Sequence, residues 1–374
     1  MPEFYLNPLF WILSLCLIIQ LLVYLLVFRG LAAYKQPISK SGSLPSVSVI
    51  IAARDEARNL KKYLSLILEQ DYPDFEVIVV DDQSEDGTKE LLEEMHVQYP
   101  HLRIVTITEH VNEFAGKKLG LTLAFKAAQH EILLLTDADC TPVSNQWIRK
   151  MVEPYENEST EIVLGFSPYK PKSSLINLFI RFDTFYTAFQ YFSLTLAGMP
   201  YMGVGRNLSY KRSLFFKSKG FSPFLKVSSG DDDLFVNHNA TAQNVAIQLD
   251  PDSFMVSKPK KTWSDWLRQK KRHMRSGKYY KSGHKSWLAF IWFSNLIFYA
   301  AVVLGIIFID PYWVSLAILG LRMIVQVIIM ALSLKKLKMN NLWYLTPVLD
   351  IVYQLIYYPV ITLISLFSRK RPRW

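Results

Sequence analysis

Cysteine is almost absent from this chain of 374 residues: it has two, Cys16 inside an apolar run and Cys140 just after an acidic motif. A disulfide framework is excluded, and the polar part of the chain is expected to face a reducing compartment. Lys and Arg are missing ahead of the first long apolar run, which is too long for a signal-peptide core, so it reads as a retained span rather than a cleaved export signal. No nucleic-acid motif accompanies the basic excess of 42 Lys and Arg over 32 Asp and Glu, so DNA or RNA is not an expected partner. The first β-like run ends in Ala52-Ala53-Arg54-Asp55-Glu56 and not in a phosphate-cradling glycine loop, which argues against a nucleotidyltransferase.

What is abundant is apolar surface. Hydrophobic residues make up 51% and aromatics 14% of the chain, with a mean hydropathy of +0.14. Residues 9–28 carry no charge and are long enough to cross a hydrocarbon core of about 30 Å. Arg29 and Lys35 follow, which puts that end in the cytoplasm by the positive-inside rule. Residues 287–309 and 312–334 form two more runs, parted by Asp310-Pro311 and closed by Lys335, Lys336 and Lys338. A fourth run, 342–367, ends in a basic tail, Arg369-Lys370-Arg371-Pro372-Arg373. Basic residues on both sides conflict with a single crossing. Either Pro347 and Pro359 break the run into a re-entrant hairpin, or the tail lies outside. Arg322 and Asp350 lie within these runs, where charge is costly. They are expected to pair with each other, the alternative being a lipid acceptor.

The +10 net charge is local. Eleven Lys or Arg and one acid, Asp265, fall between Lys258 and Lys285, leaving 31 basic and 31 acidic residues elsewhere. Trp263, Trp266 and Leu267 recur there at helical spacing. The segment reads as a basic amphipathic helix at a membrane surface, anchoring to anionic lipid or contacting phosphates.

Between the first two spans, β-branched runs at 46–53, 75–80, 102–107 and 131–135 alternate with helix-like stretches at 59–70, 88–98 and 117–129. This alternation predicts βαβ units in a parallel sheet, with ligands bound beyond the carboxyl ends of its strands. The acidic motifs fall there. Asp81-Asp82 ends the second strand and opens a turn that Ser84 or Asp86 can cap; two adjacent carboxylates also suit a nucleotide's hydroxyls. Asp137 and Asp139 end the fourth strand. Their spacing of two sends both side chains one way, offering hard oxygen ligands to Mg²⁺ or Mn²⁺. Gly230-Asp231-Asp232-Asp233-Leu234 places three acids together, either a solvated loop or a general base for a hydroxyl with its tuning partners. Residues 175–199, aromatic and apolar, read as an interfacial helix admitting a lipid acceptor or as plain core.

These motifs, in this order over residues 45–285, resemble the family 2 glycosyltransferases, the membrane-bound inverting enzymes that include cellulose, chitin and hyaluronan synthases. The resemblance implies an α/β fold of GT-A type, a Rossmann-like mixed-sheet domain inserted between transmembrane helices. The expected domains are 1–44 (first span and linker), 45–257 (cytoplasmic catalytic domain), 258–286 (interface helix) and 287–374 (further spans and tail). It implies a transferase moving a sugar from a nucleotide-sugar donor, UDP-linked by family preference, to a lipid-linked or saccharide acceptor at a bacterial-type plasma membrane. Alternatives are a processive polysaccharide synthase subunit and a non-catalytic scaffold of an export complex. Ala53, Arg54, Glu56, Asp82 and Lys117 (in Gly116-Lys117) would frame the nucleotide. Asp137 and Asp139 would hold the metal and, with Gln269 and Arg272, the diphosphate. Gly205 and Asn207, in Gly203-Val204-Gly205-Arg206-Asn207, would shape the acceptor side. The stretch 230–234 resembles Glu-Asp-x-Asp-Leu; registering on the leucine makes Asp231 the base, and registering on the acid pair makes it Asp232. Gln269 to His273 resembles Gln-x-x-Arg-Trp with His273 in place of the Trp, which favours addition of one or a few sugars over processive synthesis.

Overall fold

The computed structural model describes residues 4–38, 44–109, 117–227 and 229–367. They divide into two units: a helical unit from residues up to 34, 185–199 and 281 onward, and an α/β unit from 35–184 and 200–280.

In chain order the elements are α1 (Pro8–Ala33), β1 (Val47–Ala53), α2 (Ala57–Leu68), β2 (Phe75–Asp82), α3 (Thr88–Gln98), β3 (Leu102–Ile107), α4 (Lys118–Ala127), β4 (Ile132–Asp137) and β5 (Cys140–Pro142). Then come α5 (Trp147–Val152), β6 (Ile162–Leu164), α6 (Leu175–Leu196), β7 (Leu208–Lys211), α7 (Arg212–Lys217), α8 (Asp233–Asn239), β8 (Val245–Ile247) and β9 (Met255–Ser257). The rest is helical: α9 (Trp263–Gly277), α10 (Ser282–Phe308), α11 (Trp313–Lys336) and α12 (Asn340–Ile364).

The α/β unit is built on a mixed seven-stranded sheet of order β3-β2-β1-β4-β7-β6-β8. β3, β2, β1 and β4 run parallel, and β7 lies antiparallel to both β4 and β6. The predominantly apolar, buried β1 and β4 suit strands covered on both faces. Val47, Val49 and Ile51 share one core with Leu60, Leu64 and Ile67 of α2 and with Trp147. Parallel register sets Ala53 opposite Asp81 and Ala52 opposite Asp137, so β1, β2 and β4 end at one level. That shared edge brings Asp82 and Asp137 to the same end of the sheet. The sequence reading ended β2 and β4 two residues early; the carboxylates are the last strand residues. It began the first helix two residues late, because the backbone N–H of Glu56 is taken by Thr88 Oγ1 at 3.1 Å, a partner distant in sequence.

α1, α10, α11 and α12 are each long and apolar enough to cross a membrane. Their outward faces are apolar, as Trp11, Leu15, Phe293, Ile297, Ile324 and Ile328 are exposed, while the polar residues turn inward. Arg322 and Asp350 are fully buried and paired at 3.4 Å. The guanidinium also donates to Tyr299 Oη (2.9 Å), Asn295 Oδ1 (2.6 Å), Gln326 and Gln20 (3.5 Å). Every span therefore contributes a group to this one charge, and the expected pairing is present.

The fourth run is one continuous helix, which overturns the re-entrant hairpin. Pro347 stands in the first turn of its α-helical part, where a missing N–H costs nothing. A π-helical stretch at Tyr353–Tyr357, whose capping Tyr358 N–H reaches back to the Tyr353 carbonyl, lies one residue ahead of Pro359 and takes up the broken hydrogen-bond ladder. The basic tail, 369–373, lies outside the described residues, as does Gly116. Residues 175–196 are core rather than surface in character: Ile180, Phe182, Phe185 and Phe189 are at most 1% exposed.

Candidate functional site

The site is assembled on the carboxyl edge of the sheet. The loops after β1 and β2 are clasped together. Asp55 takes a left-handed conformation (φ 54°), which turns its N–H to Ser84 Oγ at 2.9 Å and lets Oδ1 accept from Glu85 N–H at 2.9 Å. Asp86 accepts from Ala57 N–H at 3.1 Å. The short polar residues of 84–88 thus serve the turn, as their capping chemistry suggested, and fix Arg54 and Glu56 at the edge. Asp81 accepts from Ser84 N–H at 3.3 Å, so it belongs to the turn, while Asp82 ends β2 at 6% exposure. Ala53 is packed in the core and borders the site only through the chain path.

Asp137 and Asp139 follow on β4 and its turn. Lys117, at the start of α4, donates to Asp137 Oδ1 at 2.6 Å. Burial alone raises the Asp137 pKa, but Lys117, Arg206 and Arg272 overcome it and hold the carboxyl below its ordinary range. Asp139 goes the other way: burial and the neighbouring Asp137 raise it, with Arg206 and Lys117 as partial relief. Glu56 is likewise raised, first by burial and also by Asp139 and Asp137, against the 2.5 Å hydrogen bond it accepts from Asn59. Two crowded carboxylates, one held off its ordinary pKa by the other, are the donor set that Mg²⁺ or Mn²⁺ would fit. Ligand atoms of Asp137, Asp139 and Cys140 lie within 4.8 Å of one another. Burial and the two acids keep the Cys140 thiol well above its usual pKa, so it stays a protonated, soft neighbour and not a ligand for a hard cation.

The three acids of 231–233 have three different surroundings. Gly230 adopts φ +95°, and a Cβ there would sit 2.4 Å from Leu234 Cδ1, so only glycine turns the chain into α8. Asp232 caps that helix. It accepts from Asp233 N–H at 2.7 Å and from Gly205 N–H at 2.8 Å, while burial, Asp231 and Asp233 push its pKa up to about 7. Asp233 is buried and accepts from Tyr280 Oη at 2.7 Å and from Ser276 Oγ; burial dominates, raising it to about 6. Asp231 is partly exposed, and among the described residues no donor hydrogen-bonds to its carboxylate. Its charge acts on Lys117 and Lys118. Lys118 is fully buried and donates to the carbonyls of Val227 and Ser229, the latter at 2.8 Å, which ties the acidic loop to α4.

α9 closes the other side. Trp263 and Trp266 pack on Phe179, and Lys270 pairs with the buried Asp183. Ser229 Oγ donates to the Arg272 carbonyl at 3.1 Å, and Gln269 Nε2 donates to Tyr169 Oη at 3.3 Å. Arg272 thereby comes within the field of Asp137, and the His273 ring lies in the fields of Lys270, Arg272 and Arg206.

Glu56, Lys117, Asp137, Asp139, Asp231, Arg272 and His273 thus share one electrostatic centre. Gly205 is tied to Asp232. Asn207 does not join them: it is fully buried, its amide donates to the carbonyls of Phe166 (2.9 Å) and Ser253 (2.8 Å), and its Oδ1 accepts from Trp147 Nε1 (3.0 Å). Its role is to brace the chain. Sequence reasoning passed over Arg206, Tyr169, Lys118 and Tyr280. Arg206 stood inside a quoted motif, and a cation between Gly205 and Asn207 beside an acidic site was the available signal.

Residues 48–216 match Glycosyl transferase family 2, and residues 133–366 match Glycosyl transferase family group 2. The chain is similar to the probable glycosyltransferase YdaM of Bacillus subtilis, 27% identical over 292 residues, 73% of this chain and 67% of that protein. It is similar to glycosyltransferase AglE of Haloferax volcanii, 35% identical over 33% of this chain and 40% of that protein. It is also 28% identical to the beta-monoglucosyldiacylglycerol synthase of Nostoc sp. over 41% of this chain, a match spanning 32% of that protein's length. Among solved structures, the mannosyltransferase PcManGT from Pyrobaculum calidifontis, in complex with GDP-Man and Mn²⁺, superposes with a TM-score of 0.61 at 21% identity. That match covers 97% of this chain and 100% of the other, and it shows a shared fold.

Proposed function

The chain belongs to the family 2 glycosyltransferases, and we propose that it moves a sugar from a nucleotide-sugar donor to a lipid-linked or saccharide acceptor with inversion at the anomeric carbon. The observation that carries this reading is the meeting of Asp137 and Asp139 with Lys117 and Arg272 at the sheet edge, opposite an acid, Asp231, free of hydrogen-bond donors among the described residues.

Arg54, Glu56 and Asp82 border the nucleotide, on loops clasped to one another. Asp137 and Asp139 would hold Mg²⁺ or Mn²⁺, which when bound supplies Lewis-acid charge against the departing diphosphate. Lys117 and Arg272 hold diphosphate oxygens, with Gln269 fixing the α9 side. Asp231 takes the proton of the acceptor hydroxyl as that oxygen displaces the nucleoside diphosphate. Asp232 is the less available carboxylate, because its two oxygens already accept from the Gly205 and Asp233 N–H groups. Direct displacement by one acceptor gives inversion. His273 in place of an aromatic glycan platform supports addition of one or a few sugars. The acceptor side includes Gly205 and the exposed His273.

Four apolar helices mark the chain as membrane-associated. Arg29, Lys35 and the lysines at 335–338 support a cytoplasmic α/β unit at a plasma membrane, with α9 presenting its cations to lipid phosphates. The decisive test is a donor screen with the purified full-length protein in detergent, reading released nucleotide with and without Mn²⁺. Mn²⁺-dependent release from one nucleotide sugar is expected. Full turnover in EDTA would refute the metal, and no turnover or binding with any nucleotide sugar would refute the donor class.

A further inference from the structure

Arg206 is held more rigidly than a loop arginine needs to be. Its carbonyl accepts from Thr136 Oγ1 at 3.0 Å, one residue before Asp137. The residue before it, Gly205, is pinned by Asp232 at 2.8 Å, and the residue after it, Asn207, is pinned by Trp147 at 3.0 Å. A Cβ on Gly205 would come within 3.3 Å of Asp232, so the close approach itself fixes the backbone of Arg206. The side chain is fixed as well. Its guanidinium lies over the Tyr169 ring, 4.3 Å from the centroid, and Tyr169 is held in turn by Gln269 of α9. Stacking sets the plane of the guanidinium and leaves its N–H edge to point elsewhere. Nη1 is buried and has no hydrogen-bond partner among the described residues.

The direct salt bridge to Asp137 is made by Lys117, at 2.6 Å. Arg206 acts on Asp137 and Asp139 through charge but, among the described residues, forms no ion pair with either. A buried, stacked donor whose Nη1 has no hydrogen-bond partner among the described residues is placed to receive an anionic oxygen. With a divalent ion on Asp137 and Asp139, the added charge makes the anion more favourable still.

We propose that Arg206 is a further binding residue for the donor, its stacked fork taking an oxygen of the distal phosphate of the leaving nucleoside diphosphate beside Lys117 and Arg272. This rests on the reading of the chain as a nucleotide-sugar transferase. Tyr169 is then a positioning residue that acts through Arg206.

The test is calorimetric binding to the full-length protein in detergent, with excess Mn²⁺, of UDP, GDP, UMP and GMP. Arg206→Met is expected to weaken the better diphosphate by about tenfold or more while leaving the matching monophosphate within about twofold. Arg206→Lys should recover part of that loss, and Tyr169→Leu should show the same selectivity at smaller size. If Arg206→Met does not fold, the Arg206→Lys and Tyr169→Leu ratios carry the comparison. An unchanged diphosphate-to-monophosphate ratio, or a defect confined to Mn²⁺ affinity, overturns the inference and leaves the donor reading standing. Wild-type protein that binds none of the four nucleotides overturns both.

Discussion

Replacing Asp231 and Asp232 one at a time separates two carboxylates that are adjacent in sequence and unlike in surroundings. Asp231→Asn removes the acid free to receive a proton. General-base catalysis contributes about 10²- to 10⁴-fold, and a loss of that size in turnover is expected, with donor affinity unchanged. Asp232→Asn should behave differently. One amide oxygen can still accept from Gly205 or Asp233, so one of two hydrogen bonds survives, and the cost is about 1–3 kcal/mol. Against that cost stands the strain of ionising Asp232. Its pKa rises from 3.8 to about 7, roughly three units, or on the order of 4 kcal/mol once it is charged. The sign follows from linkage. A raised carboxyl gives stability that is fully present below 3.8 and is lost as pH climbs through about 7. Wild-type protein should therefore lose thermal stability between about pH 4 and pH 7, and Asp232→Asn should flatten that slope. The assays are nucleotide release under saturating donor and thermal unfolding in detergent across that range. Asp231→Asn at wild-type rate, or a folded, donor-binding Asp232→Asn as inactive as Asp231→Asn, would refute the assignment.

Asp139→Asn should abolish Mn²⁺-dependent donor binding, read by calorimetry; binding that survives in the variant and in EDTA contradicts the metal site. Lys117→Met leaves Asp137 without its 2.6 Å partner and should raise its pKa, so that Mn²⁺ affinity falls more steeply at pH 6 than at pH 8. The same steepness in both proteins would show that Lys117 does not set this proton. Tyr280→Phe with Ser276→Ala strips both side-chain donors from Asp233; a loss of about 1–3 kcal/mol per donor is expected, and urea or thermal curves matching wild type would count against it. Arg322→Leu alone should cost about 3–5 kcal/mol, and adding Asp350→Leu should recover much of it; a double variant no more stable than the single one would show that the pair is not a unit.

Much of this site was legible because its residues sit where periodicity changes. β2 and β4 are predominantly apolar strands that stop in acids, and a parallel sheet makes such stops coincide in space. Asp81-Asp82 and Asp137 with Asp139 were found on that ground, and 231–233 as a run of three acids. What was not legible came from contacts without local pattern. Asn207 looked like a ligand residue from its motif, yet three partners from 40 to 60 residues away consume its amide. The choice between Asp231 and Asp232 was open because register alone cannot say which carboxylate a distant glycine N–H will occupy. Lys118 and Lys117 are neighbours of one type with opposite fates, one buried under a loop and one on Asp137. The antiparallel placement of β7 has the same origin, since its pairing depends on where 203–207 is braced.

The buried arginine of α11 also sets an order of events in biosynthesis. Arg322 is made before Asp350, which follows 28 residues later, whereas Gln20 and Asn295 are already in the chain. A nascent chain ending ahead of α12 would carry a guanidinium in the bilayer with only amides and a phenol to meet it, at a cost of about 2.5–3.5 kcal/mol for the lone charge. The third span would be retained poorly until the fourth arrives. The energetics of α11 insertion are thus coupled to the arrival of α12.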